Sequence, residues 1–357
     1  MTKYLAVGNL SEEHTRDIKF FFQHPEFEFL NIGQKRDIYG RQRRPTRTIL
    51  ADANRGEYDL VIAGKLFYPS FNPRKSLLRN VANLTGNLIR HPNIAVGRIF
   101  PFSKYRGRLA VVDMQDTPVI DNSRFRLLNH CVCYFKRELP PNSCNAFLYT
   151  TAKTEDGTNV LNLKEFRDMV GKLRPISLGV DQEDAKLLAG VENVKKTDVF
   201  FSGGLTNHLN RQRGLKQLEL LRSQNYSIDI SYDRLPRTEF LKRAAQAYLV
   251  WSPEGGGWDC YRHYEAALVG SVPLMQTPSI HRYAPLLDDV HACYYGIEGD
   301  QLEVRIRQIL QNRNRLIQMG QAAKQHVLQW HTFEALSRYV IEETERTMLE
   351  TGNGRGI

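Results

Sequence analysis

The chain contains no Cys-x-x-Cys pair, no Asp-x-Asp and no two histidines at His-x-x-x-His spacing. Its cysteines are Cys131, Cys133, Cys144, Cys260 and Cys293, odd in number and irregular in spacing. That excludes a zinc-ribbon pattern and argues against a disulfide framework. Reduced thiols in a cytoplasmic protein are the expectation. No metal site and no cofactor are expected either. No apolar run approaches the ~18 residues of a membrane span. The short apolar stretch near the N-terminus breaks at a glycine and then at charges, unlike a signal peptide. Contact with a membrane is therefore expected only at the periphery. Internal repeats and low-complexity segments are absent as well.

What is present is a chain of 357 residues, of which 41% are hydrophobic and 25% charged. That is enough for two ordinary globular domains, each with its own core. Lysine and arginine total 49 against 39 acids, a net charge of +10. A basic balance favours an anionic partner without choosing among nucleic acid, anionic lipid and phosphorylated substrate. Six of the basic residues fall in the run at 35–47, KRDIYGRQRRPTR. A solvated loop explains that run, and docking on lipid headgroups, a polyanionic glycan or nucleic acid would use it.

Short apolar runs at 4–7, 27–32, 58–63, 109–112 and 131–135 each end in glycine or a polar residue. Helix-sized spacers between some of them predict a parallel α/β sheet. Pro140-Pro141 then breaks the pattern. Polar residues at 151–159 belong to a connecting region, and a hinge is placed at 166–195. Beyond it the pattern is more regular. Strands are predicted at 199–201, 226–230, 247–251 and 272–275. Helices are predicted at 208–223, 236–246 and 258–269, and mostly helix over 301–349. The expected architecture is α/β, with two Rossmann-like domains facing across a cleft: 1–165, the hinge at 166–195, 196–330, and a closing helix and tail at 331–357. Loops at the carboxyl ends of parallel strands form the natural ligand site of such a fold.

The most informative segment is WSPEGGGWDCYRHYEAALVGSVP, residues 251–273. It reads as strand, glycine loop, helix, glycine stop, strand. Consecutive glycines at Gly255, Gly256 and Gly257, after Glu254, allow close approach of backbone to ligand. The N–H groups of a following helix suit a phosphate. Trp258, Arg262 and Glu265 are spaced by four and three residues, which places them on one helix face. Arg262 is suited to a diphosphate and Glu265 to a ribose diol, since a carboxylate accepts two hydroxyl donors. A surface ion pair between Arg262 and Glu265 is the bland alternative. Aromatics at Tyr283, Tyr294 and Tyr295 are expected mainly as packing, and His281 and Arg282 share their loop.

The stretch from Gly257 through Tyr261, Arg262, Glu265 and Gly270 to Pro273 resembles the donor-site signature of exostosin-like GT-B glycosyltransferases. The segment at 198–204, ending in Gly203-Gly204 and followed by Arg211 and Arg213, is similar to the opening of the donor domain in these families. The resemblance implies a nucleotide-sugar donor in the C-terminal half, with Glu265 on the ribose and Arg211 or Arg213 toward the diphosphate. It covers 198–345 well and the first half in patches, at 112–116 and 134–138. Trp258-Asp259 depart from many relatives.

Such a reaction builds negative charge on the leaving phosphate, so positive charge should be held there. With no Asp-x-Asp to hold a metal, transfer is expected to be metal-independent. An inverting enzyme also needs a base beside the acceptor hydroxyl. Asp113, at a strand end, is the first candidate and Asp116 the second. The expected acceptor is a glycan or a lipid-linked molecule. Two alternatives stand beside this: another nucleotide-sugar enzyme of the same shape, such as an epimerase, and a non-enzymatic nucleic-acid-binding protein. No nucleic-acid module reads out of the chain, so nucleic acid is not the expected partner.

Overall fold

In the computed structural model the described residues are 2–10, 17–32, 37, 39–64, 99–120, 127–148, 163–188, 194–204, 209–233 and 235–352. Lys35, Arg36 and the polar stretch at 151–159 lie outside them. The chain divides into two units, Met1–Ile176 with Ser337–Ile357, and Ser177–Leu336.

The first unit is built on β1 (Tyr4–Gly8), β2 (Phe27–Asn31), β3 (Leu60–Ala63), β4 (Leu109–Asp113), β5 (Cys133–Lys136) and β6 (Leu173–Pro175). They form one sheet in the order β2-β1-β3-β4-β5-β6, parallel throughout. β1, β3, β4 and β5 are buried at every position. A parallel sheet covered on both faces reads as continuous apolar runs rather than alternation. Leu5, Val7, Val61, Val111 and Tyr134 point to one core, with Ile49 and Ala53 of α1 (Thr46–Arg55) and Met169 of α2 (Leu163–Gly171). The neighbouring β5 residues Cys133 and Phe135 point the other way, toward the C-terminal helix. There Thr347 lies 3.4 Å from the Cys133 thiol, and the Tyr339 ring meets Phe135 edge-on.

The second unit carries β7 (Thr197–Ser202), β8 (Ile228–Ser231), β9 (Ala247–Ser252), β10 (Val272–Gln276) and β11 (Cys293–Tyr295). Their order is β11-β10-β9-β7-β8, again all parallel. The direction of winding reverses between β7 and β9. Alternate residues of these strands feed two cores. Val199, Phe201, Leu249 and Trp251 pack with α3 (Leu209–Ser223), α6 (Gln301–Ile309) and α7 (Arg313–Trp330). Phe200 and Val250 pack with α4 (Arg237–Ala245) and with Ala266 of α5 (Tyr261–Leu268). Helices on both faces of a parallel sheet make each unit Rossmann-like.

Gly270 ends α5 as the sequence predicts, with φ at +77° and its N–H on the Ala267 carbonyl. The start of α5 differs from the sequence expectation: it begins at Tyr261 and not at Trp258. The Trp258 indole N–H donates to the Gln276 carbonyl at 3.1 Å. Asp259 accepts the Leu178 N–H at 2.8 Å and the Tyr264 hydroxyl at 2.5 Å. These bonds hold 258–260 outside the helix, so Trp258 does not share a helix face with Arg262 and Glu265. Two strands escape the sequence pattern, β6 and β11. Both are short edge strands of three residues, too few to show a period.

Candidate functional site

In a parallel sheet of this winding, ligands bind beyond the carboxyl ends of the strands where the order reverses. In the second unit those ends are Ser202-Gly203-Gly204 after β7 and Pro253-Glu254-Gly255 after β9. Two of the three arginines singled out from sequence converge there. Arg211 enters from the first turn of α3. Its Nε donates to the Glu254 carbonyl at 2.9 Å and its Nη1 to the Gly204 carbonyl at 2.9 Å. Arg262, from α5, lays its guanidinium over the Phe201 ring, 5.3 Å from the centroid.

Glycine leaves room for a guanidinium at both strand ends. A Cβ on Gly203 would sit 2.9 Å from Arg262 Nη2, and a Cβ on Gly255 3.1 Å from Arg211 Nη2. Both guanidiniums thus press against bare backbone. Among the described residues neither forms an ion pair with a carboxylate. Arg262 Nη1 is buried with no hydrogen-bond partner among them. Burial, and then the neighbouring charge of Arg262, push the Arg211 pKa below its ordinary value. Two cations held together in this way favour a multiply charged anion.

The glycine loop is braced from β10. Gln276 Oε1 accepts the Glu254 N–H at 2.8 Å, and the Gly255 N–H closes on the Gly257 carbonyl at 2.9 Å. The Glu254 carboxylate accepts from Asn210 at 2.5 Å. Gly204 and Gly256 are exposed, and a Cβ at Gly204 would meet open space. Trp258 is buried, its ring 4.8 Å from that of His263. His263 in turn bridges the Ser252 hydroxyl (2.7 Å) and the Trp258 carbonyl (2.9 Å). Tyr261 is half-buried at the head of α5. Arg213 is exposed; two residues beyond Arg211, it points about 200° away around the helix and does not join the pair.

Glu265 is buried and does not pair with Arg262. Its Oε1 accepts from Arg237, whose guanidinium also grips Asp184. Sequence reasoning missed Arg237, Asp184 and Gln276. Nothing local marks them, because Arg237 stands 28 residues from Glu265. Tyr295, by contrast, is packing: its hydroxyl accepts the Trp251 indole N–H at 2.8 Å.

In the first unit Asp113 ends β4 with its side chain fully buried. Its Oδ2 accepts the Tyr134 hydroxyl at 2.8 Å and Lys136 Nζ at 3.2 Å, and its Oδ1 the Gln115 N–H at 3.1 Å. Asp116 has a half-exposed side chain and pairs with the buried Arg137. No group of three or more His, Cys, Asp or Glu side chains suited to a metal occurs among the described residues. No helix among them is long and apolar enough to cross a membrane.

No protein-family model and no curated protein matches the chain. Solved structures do match, over almost the whole length. A glycosyltransferase from Rickettsia africae aligns at TM-score 0.52 and 10% identity, over 97% of this chain and 98% of that one. HepE of Anabaena, solved with UDP-glucose, aligns at 0.50 and 12%, over 97% and 100%. The N-terminal domain of a Candida albicans trehalose-6-phosphate phosphatase aligns at 0.50 and 10%, over 97% of each. The fold is GT-B-like. Likeness at this identity establishes the architecture, two Rossmann-like units in one chain, and leaves the chemistry to be argued from the site.

Proposed function

We propose that this chain is a glycosyltransferase of the exostosin-like kind, moving a sugar from a nucleotide-sugar donor to a glycan or lipid-linked acceptor without a metal. The observation that carries the proposal is the meeting of Arg211 and Arg262, unpaired with any described carboxylate, at the glycine-lined ends of β7 and β9. A diphosphate there would receive two guanidiniums. Charge building on the leaving phosphate would be met by groups already in place. Glu265, three residues beyond Arg262, would take the ribose hydroxyls. HepE, of like fold, was solved with UDP-glucose, so that donor is the first to try.

For the base, the bonding in the first unit favours Asp116. Asp113 has no exposed surface and holds Tyr134 and Lys136, a part suited to joining β4 to β5. Asp116, half-exposed and paired with Arg137, is the one of the two that an acceptor hydroxyl could reach.

The test is a thermal-shift panel of UDP, GDP, CMP and dTDP, with and without EDTA. A ligand bound by the folded state alone raises Tm. One nucleoside diphosphate should raise it, unchanged by EDTA, and Arg262→Ala should abolish the shift. With UDP-glucose and an acceptor, free UDP and a glycosylated product should appear together. No shift with any nucleotide would remove the reading. Activity lost in EDTA and restored by magnesium or manganese would overturn metal independence.

A further inference from the structure

Glu265 has only 11% of its side chain exposed. A carboxylate so placed needs a cation or several hydrogen-bond donors beside it. Arg262, one helical turn earlier, is not that cation, because it is turned against Phe201 and Gly203. The cation comes from another element. Arg237, the first residue of α4, reaches Glu265 Oε1 with Nη1. Its other edge, Nε and Nη2, lies on the two oxygens of Asp184, with Nε 3.2 Å from Oδ1.

This two-point grip fixes the plane of the guanidinium, and with it the direction in which Nη1 donates. Among the described residues Glu265 is held by one oxygen, and a carboxylate has about four acceptor positions in all. We infer that Arg237, held by Asp184, is the positioning residue that fixes the Glu265 carboxylate to receive the two hydroxyls of a ribose. This rests on the nucleotide-sugar reading above. Lysine would not replace Arg237, since a point charge cannot grip Asp184 and Glu265 in one plane.

The experiment is calorimetric titration of the full chain with UDP and GDP and with their 2′,3′-dideoxy counterparts, which lack the diol. The wild type should prefer the ribose form of one nucleotide by about tenfold or more, the worth of hydrogen bonds to a charged group. Glu265→Gln should reduce that preference to within about twofold, and so should Arg237→Met. Combining the two should reduce the preference no further, as expected of residues acting through one another. Arg237→Lys should restore only part of it.

A preference lost in Glu265→Gln but intact in Arg237→Met overturns the inference and leaves the nucleotide-sugar reading standing. A wild type that binds both sugar forms equally overturns the inference and leaves the nucleotide-sugar reading standing, and one that binds none of UDP, GDP, CMP and dTDP removes both. Should Arg237→Met fail to fold, Asp184→Asn carries the test. It frees the Arg237 fork, so an unchanged ribose preference in that variant overturns the inference.

Discussion

Gly203 and Gly214 show two uses of a missing side chain. At Gly203 the atom that a Cβ would strike is Arg262 Nη2, at 2.9 Å, the far end of a flexible side chain. Gly203→Ala should therefore change folding stability by less than about 1 kcal/mol. It should displace the guanidinium and weaken binding of the preferred nucleoside diphosphate about tenfold, by loss of a charge-assisted contact. Titration calorimetry beside a urea melt would check both. A Gly203→Ala protein that binds as tightly as the wild type would count against Arg262 at the phosphates. At Gly214, inside α3, the neighbour is Trp251, 2.2 Å away at Cζ2 and fully buried. An indole wedged in a core cannot step aside. Gly214→Ala is expected to cost about 1–3 kcal/mol or more by overpacking, read as a lower urea midpoint. The first glycine stood out in the sequence because it sits in a glycine pair. The second did not, because only the packed sheet brings Trp251 to it.

At the scale of elements, the site depends on how α4 and α5 are anchored. Both end near Lys195, which enters from the segment before β7. Its ammonium donates to the Ala245 carbonyl at the end of α4 (2.9 Å), and beyond α5 to the Gly270 carbonyl (3.0 Å) and the Ser271 hydroxyl (2.8 Å). A cation suits the partial negative charge at helix C-termini. Since Arg237 opens α4 and Arg262 and Glu265 ride on α5, the clamp fixes one helix relative to the other. Lys195→Met should lower unfolding free energy by about 1–3 kcal/mol, the cost of leaving part-buried acceptors without their donor. Denaturant unfolding would show this, and an unchanged midpoint would refute the clamp. The strand–glycine loop–helix–glycine unit at 247–276 was legible in the sequence because every part of it is local: an apolar run, three glycines, an apolar helix face and the Gly270 stop. The true start of α5 was not legible, because its cause is the bonding of Trp258 to Gln276 and of Asp259 to Leu178.

For the whole molecule, buried histidines make stability depend on pH. His331 is fully buried, between the Ser177 hydroxyl (2.8 Å) and the Ala284 carbonyl (2.7 Å). Burial pushes its pKa down from 6.5 to about 3. The neutral ring therefore carries no penalty above pH 6.5. As pH falls from 6.5 toward 3 the unfolded chain takes up a proton that the folded one refuses. Stability then falls by up to about 1.4 kcal/mol per pH unit. Burial lowers His130 and His291 too, so they act in the same direction. Urea midpoints at pH 7.5, 6 and 5 should decline, and His331→Gln should flatten the decline. Equal slopes in the two proteins would show that His331 is not the group concerned. At this scale, too, the chain's last helix, Phe333–Glu350, passes at Ser337 into the unit that begins at Met1.

The sequence by itself determined the α/β class, two Rossmann-like units and the strand–glycine loop–helix–glycine order within 247–276. These follow from hydrophobic period, glycine placement and charge, all properties of neighbours along the chain. It also supplied Arg211, Arg262 and Glu265 as candidates, from spacing and a family resemblance. Only the tertiary structure decided which of these meet and with whom. Arg211 joins Arg262 because β7 and β9 are adjacent in the sheet, and Arg213 stays apart because it lies on another side of α3. Glu265 pairs with Arg237 and not with Arg262 because α4 packs beside α5. Contacts between residues tens of positions apart are set by strand order and helix packing, and no local pattern encodes them.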